Sequence, residues 1–174
     1  MKEACLFDID GVLFDVSIRY NRALENDPSR KEIFWKTFFS EDLLILDKPL
    51  EIGINNLMRC IDKGYEVIIL SGRPERLREA TIEQLRRINI FENKHYKKLI
   101  LRRDNDVRKS YVFKIEVVEK LIREFVLREV HDDDIEFLRR VSSIIPEATL
   151  YYYENNEAKV LGLGRLDKYL VAKK

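Results

Sequence analysis

The chain has 174 residues, 45% hydrophobic and 36% charged, which is enough apolar content for one domain with a sizeable core. Its 32 lysines and arginines nearly balance 31 aspartates and glutamates, so the net charge of +1 sets up no global field for nucleic acid or a membrane surface. No apolar run is long enough to span a membrane and the N-terminus lacks a signal-peptide pattern; Cys5 and Cys60, at no metal-ligand spacing, are expected as buried thiols of a soluble protein in a reducing cytoplasm.

In chain order, Ala4 to Phe7 reads as a buried strand that ends abruptly in Asp8-Ile9-Asp10-Gly11. Val16 to Asn26 is expected as a helix. Ser29 is placed to cap a second helix, Arg30 to Phe39, with Glu32 three residues on. Phe34, Trp35, Phe38 and Phe39 give that helix an aromatic face, which reads as core packing. Pro49 is expected to open the next helix, with Leu50, Ile54, Leu57, Met58 and Ile61 on one face and Gly64 at its C-cap.

A second buried strand, Val67 to Leu70, runs into Ser71-Gly72-Arg73-Pro74. Its following helix buries Leu77, Thr81, Leu85 and Ile88. A third strand, Lys98 to Leu101, precedes a charged loop from Arg102 to Lys109. Ser110 is expected to cap a long helix carrying Phe113, Val117, Leu121 and Phe125. A fourth strand, Leu127 to Val130, leads into His131-Asp132-Asp133-Asp134 and another helix. Pro146 breaks the chain before a fifth strand, Thr149 to Tyr153. In the tail, Leu166, Tyr169 and Leu170 have helical spacing, interrupted upstream by Gly162 and Gly164.

Strands alternating with helices predict an α/β fold, a Rossmann-like parallel sheet of about five strands flanked by helices. Residues 1–174 are expected to form one domain, with a small helical cap insert at about 16–48. Ligands of such sheets bind beyond the carboxyl ends of the strands. Asp8/Asp10, Ser71, Arg102 and Asp132/Asp133 all fall just past predicted strand ends. Carboxylates at i and i+2 of a strand point the same way and repel unless a cation or proton holds them, so an oxygen-preferring divalent metal, Mg2+, is expected there. Asp8 can attack phosphorus, Asp10 can exchange a proton with the leaving oxygen and then with water, and Ser71 with the Gly72 amide can hold phosphate oxygens. Lys114 can offset charge on the phosphorylated aspartate.

Asp-x-Asp-Gly after strand one, a serine after strand two, a helical lysine and Asp-Asp after strand four together resemble the haloacid dehalogenase (HAD) superfamily of phosphohydrolases. The resemblance runs from Cys5 to about Val141. It implies Asp8 as nucleophile, Asp10 as general acid/base, Ser71 and Lys114 as further catalytic residues, and Asp8, Asp10, Asp132 and Asp133 around Mg2+. The triple aspartate leaves the metal register open between Asp132, Asp133 and Asp134, with Asp132 favoured over Asp134. Val12 stands where many members carry threonine. A receiver domain of bacterial signalling does not fit, because strand three ends in arginines.

Arg102, Asp106, Arg108 and Lys114 are spaced as in the phosphatase domain of bacteriophage polynucleotide kinase–phosphatase, which Ser71 to Glu75 also resembles; no kinase phosphate-binding loop is present. The resemblance implies a 3'-phosphate on a polynucleotide or nucleotide as substrate, with Gly72, Arg73, Arg102 and Arg108 binding it. Lys94, Lys97, Lys98, Arg103 and Lys109 make the neighbourhood basic, which suits a polyanion. A small-metabolite phosphatase and a non-catalytic phosphate-binding regulatory module are the alternatives. The oligomeric state stays open.

Overall fold

A computed structural model describes residues 1–161 of the chain. In chain order the elements are β1 (Lys2–Phe7), β2 (Phe14–Asp15), α1 (Ser17–Asn26), α2 (Glu32–Phe38), β3 (Lys48–Pro49), α3 (Glu51–Asp62), β4 (Glu66–Pro74), α4 (Arg78–Arg87), β5 (Lys98–Arg102), α5 (Ser110–Leu121), β6 (Phe125–Asp132), α6 (Ile135–Ile144), β7 (Thr149–Glu154) and β8 (Glu157–Leu161). Short 3-10 turns cover Glu41–Leu46 and Glu75–Leu77. The main sheet has six strands in the order β5-β4-β1-β6-β7-β8. All its neighbours pair in parallel except β7 and β8. The chain enters at the centre of the sheet and winds outward on both sides, so the crevice of an open α/β sheet lies at the carboxyl end of β1.

Alternation along β1 divides the core. Ala4 and Leu6 face a cluster with Phe113, Val118, Phe137, Leu138 and Val141 of α5 and α6. Cys5 and Phe7 face the opposite cluster, with Leu57 and Cys60 of α3 and Leu85 of α4. Both faces of the sheet are covered, which is why its strands read as continuous apolar runs.

The insert between β2 and β3 has its own small core of Ala23, Phe34, Phe38, Phe39 and Leu44, closed by Leu77. The aromatic face of α2 is core packing, with Phe34 and Phe38 stacked and Trp35 half-exposed.

Several local expectations are corrected. The N-terminus of α2 is organised by Asp27, whose carboxylate accepts the N–H groups of Ser29, Lys31 and Phe34, while Ser29 does not cap it. Pro49 pairs with Phe14 in a two-residue ribbon and the helix starts at Glu51. Ser110 is the first residue of α5, after Lys109, and makes no side-chain cap bond. Phe125 opens β6, because α5 ends at Leu121. The sixth strand, β8, was expected as part of the tail; its antiparallel hairpin with β7 turns at Asn155 and Asn156, both at positive φ. The expected helical spacing of Leu166, Tyr169 and Leu170 lies outside the described residues.

Candidate active site

Asp8 follows β1 directly. Its N–H donates to the His131 carbonyl at 2.9 Å, so β6 fixes where the turn begins. One carboxylate oxygen accepts the Ile9 N–H at 2.7 Å, and the other accepts from Lys114 Nζ at 2.8 Å. The turn depends on Gly11 at φ +79, where a Cβ would lie 2.3 Å from Asp133 Oδ2. Gly53 of α3 is equally required, since a Cβ there would fall 1.8 Å from the Val12 carbonyl oxygen. A Cβ on Gly72 would meet Ser110 Oγ at 2.4 Å, so glycine lets the start of α5 approach the end of β4.

Lys114 comes from α5 and is 2% exposed. Its Nζ donates to Asp8 Oδ2 at 2.8 Å and to Asp132 Oδ2 at 2.7 Å. Burial alone would discharge this lysine, but Asp132 and Asp8 outweigh it and hold the ammonium above its ordinary range. Asp132, at the end of β6, also accepts the Asp134 N–H at 2.8 Å. Its carboxyl is pushed up to about 7 by burial, with Lys114 opposing and Asp8 adding. Desolvation in the same way lifts Asp8 and Asp133, and neighbouring carboxylates raise both further. Asp133 keeps an exposed outer face, so for that residue the crowding by Asp8 and Asp132 is the firmer cause.

Asp8, Asp132 and Asp133 each bring a carboxylate oxygen within 4.8 Å of the others. Carboxyls pushed up by burial and by one another, offering only hard oxygen donors, fit a divalent cation. Asp134 is engaged differently: it caps α6 by accepting the Glu136 and Phe137 N–H groups at 2.9 and 3.2 Å. The Asp10 carboxylate stands outside this group of three, and two arginines hold its Oδ1.

Those arginines are Arg19 of α1 and Arg73 of β4, both fully buried. Asp10 Oδ1 accepts from Arg19 Nη2 at 2.8 Å and from Arg73 Nε and Nη2 at 3.0 and 2.6 Å. Burial works against this carboxylate, but Arg19 and Arg73 hold it well below the usual range. Behind them, Asp47 accepts both Nε and Nη2 of Arg19 at 2.9 Å, Gln84 Nε2 at 3.0 Å and Arg73 Nη2 at 3.3 Å. Burial pushes the Asp47 carboxyl up even so. Arg73 further donates to Thr81 and Gln84. Arg73, expected against substrate, has no exposed surface, and its guanidinium is turned to Asp10.

Ser71 is buried at the rim, its Oγ accepting the Arg73 N–H at 3.4 Å. Arg102 Nη1 donates to the Arg108 carbonyl at 3.0 Å, while its Nε is a buried donor with no partner among the described residues. Arg108, expected against substrate, is exposed and paired with Asp106 and Glu116. A cavity of about 460 Å³ opens beside this loop, lined by Arg103, Asn105, Arg108, Phe113 and Lys120 among others. Asp106 lines it, whereas Asp8, Asp10, Asp132 and Asp133 do not. Sequence reading missed Arg19 and Asp47: one sits in a polar helix and the other in a turn, and only their full burial marks them.

A family model described as HAD superfamily, subfamily IIIB (acid phosphatase) matches residues 1–138. No match is found among curated proteins. Two solved structures of Pnkp1 with Rnl and Hen1, one titled an RNA repair complex, superpose with TM-scores of 0.66 and 0.65, each at 22% identity. They cover 88% and 87% of this chain, which spans 45% and 42% of theirs. The class C acid phosphatase of Bacillus anthracis with tungstate bound superposes at TM-score 0.60 and 14% identity, covering 99% of this chain and 79% of that one. These likenesses concern the fold.

Proposed function

The chain belongs to the HAD superfamily, subfamily IIIB (acid phosphatase), and from that premise we propose a Mg2+-dependent phosphatase that carries the phosphoryl group on Asp8 and acts on 3'-phosphate ends of polynucleotides or nucleotides. Membership makes it a phosphomonoester hydrolase, and such phosphatases generally use a divalent metal. In this reading residues 1–174 are one catalytic domain, with the insert at 16–48 as a small cap. The observation that carries it is the buried Lys114 ammonium bridging Asp8 and Asp132 beside Asp133.

Asp8, Asp132 and Asp133 would hold the cation. When bound, Mg2+ supplies the charge neutralisation that lets a carboxylate approach a phosphate dianion. An Asp8 oxygen attacks phosphorus, the bond to the leaving oxygen breaks, and Asp10 delivers the proton. Water then attacks phosphorus, Asp10 takes its proton, and Asp8 is regenerated. Ser71 and the Gly72 amide hold phosphate oxygens, and Lys114 balances the charge gathered on them. As base for water, the arginine-clamped Asp10 is ready. As acid it must take up a proton against two guanidinium charges, so proton delivery to the leaving group is the step most sensitive to the clamp.

The substrate class rests on the Arg102-Asp106-Arg108 loop and its basic surroundings at Arg103 and Lys109, next to a cavity wide enough for more than a phosphate. A small cap also admits bulky substrates. The full chain with Mg2+ is tested on 3'-phosphorylated oligonucleotides, 3'-nucleotides and sugar phosphates. The proposal expects the highest kcat/KM on the 3'-phosphorylated oligonucleotides. Faster turnover of sugar phosphates would assign it to small metabolites, and no phosphate release from any substrate would leave only a binding module.

A further inference from the structure

A second polar cluster lies under the catalytic loop, and the phosphatase chemistry uses none of it. Cys5 of β1 and Cys60 of α3 are both fully buried and both free thiols. Their sulfur atoms and a Glu129 oxygen all lie within 4.8 Å of one another. Glu129 is already satisfied: Lys63 donates to Oε1 at 2.8 Å, and Arg59 and His131 reach Oε2. A ring of hydrogen bonds continues through Asn56 and Tyr153, with Arg59 to Asn56 and Asn56 to Tyr153 at 2.7 Å and Tyr153 to His131 Nδ1 at 2.9 Å. The carboxylate and imidazole are engaged in this ring, and Cys60 Sγ also donates to Glu129 Oε2 at 3.5 Å, so the two neighbouring sulfurs lack the four free donors that a zinc ion takes.

We propose that Cys5 and Cys60 are a redox-sensitive pair that closes to an intramolecular disulfide with a peroxide as oxidant, and that closure slows the phosphatase. Cys60 is the attacking sulfur: its thiol donates to Glu129 Oε2 at 3.5 Å, so a carboxylate stands where the departing proton goes, whereas the Cys60 bond and burial drive the Cys5 thiol up. The Cys60 thiolate attacks one peroxide oxygen, the O–O bond breaks, and a sulfenic acid and hydroxide result. That hydroxide takes the Cys5 proton. The Cys5 sulfur then displaces hydroxide from Cys60, and this second hydroxide recovers the proton that Cys60 had given up. Two thiols and one peroxide thus become one disulfide and two waters.

The link to activity is α3. Gly53, Leu57 and Cys60 lie at three- and four-residue spacing on one face of this helix. At Gly53 the helix already sits against the Val12 carbonyl with no room for a single methyl group. A disulfide needs its sulfurs about 2.05 Å apart. Closing the gap draws α3 toward β1, and the absence of slack at Gly53 passes the shift to Val12 and the Asp10-Gly11 turn. Misplacement by about 1 Å costs on the order of tenfold or more in turnover.

The test treats the full-length protein with hydrogen peroxide, alkylates remaining thiols after denaturation, and maps peptides without reduction. Expected are a Cys5 peptide joined to a Cys60 peptide within one chain, a fall of tenfold or more in p-nitrophenyl phosphate turnover, and recovery of both with dithiothreitol. Cys60→Ser keeps its basal turnover and does not respond to peroxide. Alkylation of both cysteines after peroxide, a link between chains, or zinc held stoichiometrically by the wild type and lost in Cys60→Ser overturns the assignment. An intramolecular disulfide with unchanged turnover overturns the coupling to the catalytic loop. The mapping requires no variant, so it decides the chemistry even where Cys60→Ser fails to fold.

Discussion

Arg19→Met removes the cation that ties the insert to the catalytic turn. Arg19 supplies two bonds to Asp47 at 2.9 Å and one to Asp10 at 2.8 Å, and neither its side chain nor that of Asp47 is exposed. Removing one partner of a buried ion pair costs about 3–5 kcal/mol. Asp47 keeps Gln84 at 3.0 Å and Arg73 at 3.3 Å, which places the expected loss near the lower end, about 3 kcal/mol. For a domain of this size that is a fall in Tm of about 6–12 °C. Urea unfolding at pH 7 should show a lower midpoint at unchanged slope. The pH dependence carries the sign. Arg19 and Arg73 depress the folded pKa of Asp10, so their stabilisation is present above the unfolded aspartate value of about 3.9 and is lost as pH falls through the folded value. The deficit of Arg19→Met is therefore largest at neutral pH and shrinks below about pH 4. A deficit that widens as pH falls below 4, or none at pH 7, would refute the clamp.

Lys114→Met should lower kcat by about 10²-fold or more, since it strips Asp8 and Asp132 of their shared cation. Burial already raises both carboxyls, so the variant gains stability relative to wild type as pH falls from 7 to 5, read as converging unfolding midpoints; a gap that widens on acidification contradicts the reading. Gly11→Ala places a methyl against Asp133 at φ +79, so calorimetry should record weaker Mg2+ binding by about tenfold and a stability loss of about 1–2 kcal/mol. Mg2+ at about 100 times its Kd should stabilise the wild type by about 2.7 kcal/mol, and chelation or Asp132→Asn should abolish the gain. A thermal shift unchanged in Asp132→Asn would place the cation elsewhere.

The apolar runs Ala4 to Phe7, Val67 to Leu70 and Thr149 to Tyr153 were legible because burial on both faces leaves no other pattern, and the helices between them left a parallel sheet as the economical arrangement. The aspartates, Ser71 and Lys114 were legible because each stands at a strand end or helix start. What β8 required was harder to see: Glu157 to Leu161 is a half-exposed edge strand, registered only through its hairpin with β7. The contact of Arg73 with Asp10 was not legible, since a guanidinium next to a phosphate site can face substrate or an acid and the sequence does not distinguish them. Arg19 and Asp47 left no trace. Twenty-eight positions separate them, and an ion pair buried by an insert has no periodicity.

The account stands on Asp8 as the atom that receives phosphorus. Mixing the full-length protein with Mg2+ and a 3'-phosphorylated oligonucleotide or p-nitrophenyl phosphate, quenching in acid within one turnover and mapping peptides tests this directly. The expected result is one phosphoryl group on the peptide containing Asp8, absent in Asp8→Asn, whose turnover is lost while its unfolding midpoint is retained. Hydrolysis at the wild-type rate by Asp8→Asn, or a phosphoryl group trapped on a different residue, would contradict it.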